Sequence, residues 1–159
     1  MLFQWILRPE YIDSCSNAGQ WQPEEEFEWS ASTDGALVDQ KSGLWLGAAR
    51  KWRLQNSAGL GPYSGYQISI VGKTEPPREQ LERLLIVGRG AVVSIEENVA
   101  PDGVTATRLV VAKEANASNH DVLSLAQSTG AIVVKPRFLL DLISMEQAPS
   151  PVDRAYVVL

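Results

Sequence analysis

Apolar and polar positions alternate most cleanly in the run YQISIV, residues 66 to 71, which is β-branched and closed by Gly72, so a strand is predicted there. The period then lengthens. After Thr74, Pro76 and Pro77, the residues Leu81, Leu84, Leu85 and Gly88 recur at i, i+3, i+4 and i+7. Arg78, Glu79, Glu82 and Arg83 take the opposite face, and the pattern predicts an amphipathic helix. A second strand is expected over 91–94, a turn at Pro101-Asp102-Gly103, and a third strand over the alternating 104–112. Asn119 and Asp121 suit the cap of a helix carrying Val122, Leu125 and Ala126, closed by Gly130. Strand four is expected over 131–134, and Pro136 opens a last helix. There Phe138, Leu139, Leu140, Leu142 and Ile143 are apolar nearly all round, so cover on more than one side is expected. The order β-α-β-β-α-β-α over 65–145 implies an α/β unit: a small four-stranded, mostly parallel sheet between helices on both faces.

The front of the chain is less regular. Residues 3–7 form a short apolar run, read as a strand, and Pro9 sits where a helix accepts it in its first turn. In that helix Tyr11, Ile12 and Cys15 share a face, and Gly19 is placed to end it in a left-handed turn. Glu24, Glu25, Glu26 and Glu28 around Phe27 read as a solvated acidic segment. Residues 30–60 are rich in Ser, Gly, Asp and Gln and read as a linker, with a short amphipathic piece over 44–54. The domain division is therefore a fragmentary unit over 1–29, a linker over 30–60 and a regular domain over 61–159. Tryptophans in and before the linker are expected to pin it to a neighbour, because each buries a large apolar area.

Composition narrows the function classes. The 159 residues are 45% hydrophobic and 21% charged, within the globular range, and too few for two complete enzyme domains. Fourteen Lys and Arg against 19 Asp and Glu give a net charge of -5, so nucleic-acid binding needs a local basic patch. Arg50, Lys51 and Arg53 around Trp52 form such a cluster, a candidate for contact with nucleic acid or phosphate. One cysteine, Cys15, and one histidine, His120, make neither an internal disulfide nor a structural zinc site. No run approaches a membrane span or a signal-peptide core, and the chain reads as soluble and intracellular.

Catalytic motifs fail on inspection. Val71-Gly72-Lys73-Thr74 has the setting of a phosphate-binding loop, but Gln67 stands where the loop needs its first glycine, which disfavours a small nucleotide-binding enzyme. Gly88-Arg89-Gly90 ends a helix and precedes a strand, the wrong polarity for a dinucleotide fingerprint, and reads as a helix stop. His120 has no spaced Ser or Cys partner and reads as a capping or surface residue. Asn116-Ala117-Ser118 matches a glycosylation sequon by chance. No cofactor or metal is implied.

The β-α-β-β-α-β-α order, the GRG before strand two and the aromatic near the start of the helix after VVKPRF resemble the BRCT family. The likeness extends backwards. WILRPEYIDSCSNAGQWQPEEEFEW at 5–29 resembles the last strand, last helix and exit of a preceding BRCT repeat, and AARKWRL at 48–54 resembles a basic linker between paired repeats. The whole is similar to the carboxy-terminal pair of the breast-cancer-susceptibility protein and, somewhat more closely, to that of its RING-domain partner in a ubiquitin-ligase complex, for which the likeness includes REQLERLL, GRG and PDGVTATRLVVAKEA.

The resemblance implies a nuclear, non-enzymatic interaction module of DNA-damage signalling and repair. Its partners would be phosphorylated proteins or chromatin components, with poly(ADP-ribose) or DNA through the linker. In such pairs the first repeat supplies the phosphate pocket, whose residues would lie upstream of Met1, so the resemblance implies a truncated first repeat and assigns no phosphate contact here. A scaffold without phosphate recognition is the alternative. Leu140 matches a leucine of the second repeat's apolar peptide-binding pocket. Pro76 and Pro136 replace a methionine and an arginine there, and Phe138 replaces a tryptophan, keeping the packing role without the indole donor. With a covering helix of the first repeat expected to be absent, Leu84, Leu139 and Leu142, or close neighbours, are expected to contribute to an exposed apolar patch that favours self-association or capture of a partner.

Overall fold

The computed structural model describes residues 4–29, 45, 47–94, 106–113 and 120–158, apart from the side chains of His120, Asp121 and Leu125. The expected turn at Pro101-Asp102-Gly103, the Asn116-Ala117-Ser118 sequon, the Asn119 cap and most of the linker lie outside the described residues. The chain divides into two units, Met1–Gly59 with Ser144–Glu146, and Leu60–Ile143 with Gln147–Leu159.

In the first unit, α1 spans Glu10–Ala18 and stops where Gly19 turns left-handed at φ 64°. Its N-terminal approach pairs with the segment after a one-turn 3-10 helix, Glu24–Glu26. Arg8 N donates to Phe27 O at 2.8 Å, Trp29 N donates to Ile6 O at 3.2 Å, and Leu7 and Glu28 form an antiparallel bridge. The strand expected before α1 is thus a single bridge among the described residues. Tyr11 is buried, stacked on Trp21 and edge-on to Phe27. Ile12, expected on the same inward face, is instead 61% exposed. Helix α2 spans Ala48–Ser57 and buries Trp52.

The second unit is built on β1 (Tyr66–Ile70), β2 (Ala91–Val92), β3 (Thr107–Val111) and β4 (Ile132–Val134), all pairing in parallel in the order β2-β1-β3-β4. Helix α3 (Arg78–Val87) joins β1 to β2, α4 (His120–Thr129) joins β3 to β4, and α5 (Pro136–Ser144) follows. The two crossovers run in opposite directions along the sheet. Right-handed crossovers of opposite direction place their helices on opposite faces, and the cores divide accordingly. Ile68, Ile70, Leu109, Val111 and Val134 pack with Leu81 and Leu85 of α3 and with Phe138, Leu139 and Leu142 of α5. Val110, Ala112 and Val133 pack with Val122 and Ala126 of α4 and with Val158. This is the expected α/β sandwich of a four-stranded parallel sheet between helices.

Two expectations for α5 and its neighbours need correction. Leu139 and Leu142 are 0% and 2% exposed, and Leu84 is partly buried against the same core, so these leucines form no exposed self-association patch. Nor is α5 apolar all round. Phe138, Leu139 and Leu142 share the inward face, while Arg137 and Asp141 form an outward ion pair at 3.0 Å and Leu140 is 36% exposed. The run of leucines hid this because the two outward charges interrupt it only at Arg137 and Asp141.

Gly88-Arg89-Gly90 closes α3 as a Schellman motif: Gly90 N donates to Leu85 O at 2.8 Å and Arg89 N to Ile86 O at 3.2 Å. The left-handed residue is Arg89, at φ 66°, not a glycine. The glycines serve packing. A Cβ on Gly88 would collide with Tyr63 Cδ2 and lie 2.8 Å from Tyr63 Cε2, and one on Gly90 would lie 2.8 Å from Tyr63 Cβ. The Tyr63 ring, fully buried, lies across this turn and donates from its hydroxyl to Leu139 O at 2.8 Å, tying the end of α3 to α5.

Candidate functional site

In an open α/β sheet the ligand position is the carboxyl end of the strands, at the point where the crossovers diverge. Here that point lies between β1 and β3, whose ends are held together by Val71 N donating to Val111 O at 3.0 Å. Three neighbouring strands are each followed closely by a lysine: β1 by Lys73, β3 by Lys113 and β4 by Lys135. Gly72, at φ 69°, turns the chain out of β1 so that Lys73 is exposed. Lys113 is ion-paired with Glu75 at 3.2 Å, but Glu75 is 83% exposed, so solvent screens the pair and leaves the edge cationic. The Thr74 hydroxyl is buried and has no hydrogen-bond partner among the described residues.

The basic cluster at 50–53 sits on α2 in the first unit, and its cations are engaged within the chain. Arg53 makes a two-pronged contact with the Glu28 carboxylate, Nε to Oε1 at 3.1 Å and Nη2 to Oε2 at 2.6 Å. These bonds push the Arg53 guanidinium further above its ordinary pKa. Its other side lies 3.4 Å from the centre of the Trp5 ring. Arg50 Nε stands 3.7 Å from the same carboxylate. Lys51 lies 4.8 Å from the Trp52 ring and 5.6 Å from that of Trp45, and donates to Glu146 O at 3.0 Å. Burial holds the Lys51 pKa below its ordinary value, partly offset by Glu146. The cluster is thus a cation and aromatic lattice that closes the first unit.

Glu28 is the residue the sequence concealed. It belongs to the acidic run that reads as solvated, yet its side chain is 1% exposed. A buried carboxylate needs paired cations, and the arginines, 22 and 25 positions away, gave no local signal of that pairing. Leu140, the candidate peptide contact, stands on the outer side of α5 in the second unit. His120 begins α4. Among the described residues no group of His, Cys, Asp and Glu is placed to hold a metal, and no helix is long and apolar enough to cross a membrane.

The second unit is therefore a three-layer α/β module with a cationic edge where such sheets take ligands. No protein-family model matches the chain. Over 95 residues, 57% of its length, the chain is 32% identical to a BRCT domain-containing protein of Arabidopsis thaliana, and it covers 7% of that relative. The chain spans only a small part of that relative's length. Among solved structures, the solution structure of the BRCT domain from human DNA repair protein REV1 aligns with 58% of this chain and 84% of its own, at 17% identity and a TM-score of 0.40.

Proposed function

We propose that the chain is a non-enzymatic protein-interaction module of the nuclear DNA-damage response that reads a phosphorylated protein segment. In this reading residues 61–159 are one BRCT repeat, 30–60 a linker, and 5–29 the closing elements of a preceding repeat, with chromatin proteins among the partners. The observation that carries it is the carboxyl edge of the sheet, where Lys73, Lys113 and Lys135 follow three adjacent strands in a chain of net charge -5. A localised cationic edge on an acidic chain selects a compact anion on a partner rather than a long polyanion. The alternative contact through Arg50, Lys51 and Arg53, to DNA or poly(ADP-ribose), is less favoured because Glu28 and the tryptophans already engage those side chains.

The test is a phosphoserine and phosphothreonine peptide library set against its unphosphorylated counterpart. Saturable binding that requires the phosphate, and that falls at least about tenfold in a Lys73→Ala, Lys113→Ala variant, supports the reading. Phosphate-dependent binding unchanged in that variant, or no preference for phosphate, refutes this edge as the reader. Leu140 would contact the peptide beyond the phosphate, and Leu140→Ala should then weaken the selected peptide without altering phosphate dependence.

A further inference from the structure

The first unit carries an open pocket of about 420 Å³, lined by Ile12, Cys15, Ser16, Gly19, Gln20 and Trp21. Four of these, at 12, 15, 16 and 19, fall on one stripe of α1 and the turn that ends it, at helical spacing. The chain reverses at Gly19 and lays Trp21 back over the helix. There one face of the indole stacks on Tyr11, with ring centres 6.2 Å apart and planes at 21°. The turn is fixed from below, since Gln22 N donates to Cys15 Sγ at 3.3 Å and Tyr11 Oη donates to Gln22 O at 3.2 Å. Even so Trp21 is 79% exposed and Ile12 61%. An indole held on one face and open on the other, beside an exposed isoleucine, is a preformed apolar contact whose ordering cost is already met by the fold.

Charge around the pocket selects the occupant. Glu10 and Asp13 are exposed in the first turn of α1, and Glu25 and Glu26 are exposed on the 3-10 helix that follows Trp21, while Arg8 is the sole cation between residues 4 and 29. The pocket lies at the carboxyl end of α1, whose last turn carries no basic residue, so the helix dipole adds partial negative charge there.

We infer that this pocket receives a short peptide segment of a partner protein that presents a bulky apolar side chain flanked by Lys or Arg. The apolar side chain fills the space between Ile12 and Trp21, and the flanking cations meet the carboxylates of α1 and of the 3-10 helix and the carboxyl end of α1. This contact lies in the first unit and does not depend on how the second unit reads phosphate.

The probe is a short fluorescein-labelled peptide alternating Leu and Lys, titrated into the full chain by fluorescence anisotropy, with a Leu–Glu peptide in parallel. Saturable binding of the Leu–Lys peptide alone is expected, with chemical-shift changes at the Trp21 indole and the Ile12 methyl groups. Trp21→Ala and Ile12→Glu, both at exposed positions, should each weaken it by about tenfold or more. Glu25→Lys with Glu26→Lys should weaken it severalfold and flatten its salt dependence. Binding unchanged in Trp21→Ala and Ile12→Glu overturns the site, and binding unchanged on charge reversal overturns the basic character of the ligand. A dimer seen by sedimentation that disappears in Trp21→Ala would assign the pocket to a second copy and also overturn the inference.

Discussion

Gly88→Ala tests whether the close approach of Tyr63 decides the turn after α3. The added Cβ would collide with Tyr63 Cδ2, lie 2.8 Å from Cε2 and stand 3.1 Å from Pro62 Cγ, while the backbone at φ -84° accepts alanine without strain. Alanine also has the better helical propensity, so any loss comes from packing alone. The ring cannot retreat freely, being fully buried with its hydroxyl bound to Leu139 O at 2.8 Å. Overpacking of a filled core costs about 1–3 kcal/mol. If the ring shifts and strands the Leu139 carbonyl, about 1–2 kcal/mol more is lost. With both terms the expected destabilisation is about 2–5 kcal/mol, a large part of the roughly 5–15 kcal/mol of a whole domain. Urea unfolding monitored by tryptophan emission and by circular dichroism should show a lower midpoint with an unchanged slope. In a double-mutant cycle the cost of Gly88→Ala should fall below about 1 kcal/mol on a Tyr63→Leu background. A loss under about 0.5 kcal/mol in the parent chain, or an equal cost on both backgrounds, would refute the reasoning.

Burial drives the Tyr63 hydroxyl well above its ordinary pKa of 10.0, and burial also raises Tyr66 and Tyr156. A folded-state pKa above the unfolded one contributes stability that is complete below about pH 10 and lost as pH climbs beyond it, where only the unfolded tyrosine ionises. Tyr63→Phe should therefore be less stable at neutral pH by about 1–2 kcal/mol, yet lose stability more gently in alkali, as read from urea midpoints across pH. Arg53→Ala leaves the buried Glu28, among the described residues, with Arg50 at 3.7 Å and should cost about 3 kcal/mol, most of it recovered by adding Glu28→Leu; a loss within about 0.5 kcal/mol would remove that ion pair from the account. Leu140→Ala, at a position 36% exposed, should change the unfolding midpoint by less than about 1 kcal/mol while weakening peptide capture; unaltered capture would discharge Leu140 from the ligand surface.

The class and order of the second unit were legible along the chain, because its elements are specified by short-range signals. β1 to β4 and α3 to α5 fall where alternation, helical spacing and the residues Gly72, Pro77 and Pro136 place them, within a few positions. The handedness of parallel crossovers then leaves little freedom in the layers. Gly19 as the end of α1 was legible for the same reason, since its left-handed conformation is a property of one residue. What the sequence leaves open depends on residues brought together from far along the chain. Glu28 looks solvated until α2 brings Arg53 onto it, 25 positions away. The leucines of α5 look equivalent until the sheet selects Leu139 and Leu142 and turns Leu140 outward. The glycines at 88 and 90 look like a stop signal, but the left-handed residue is Arg89, and the need for small residues comes from Tyr63, reached from before β1. Local periodicity records which side chains avoid water on average. Which neighbour replaces the water is settled by contacts between residues far apart in the chain.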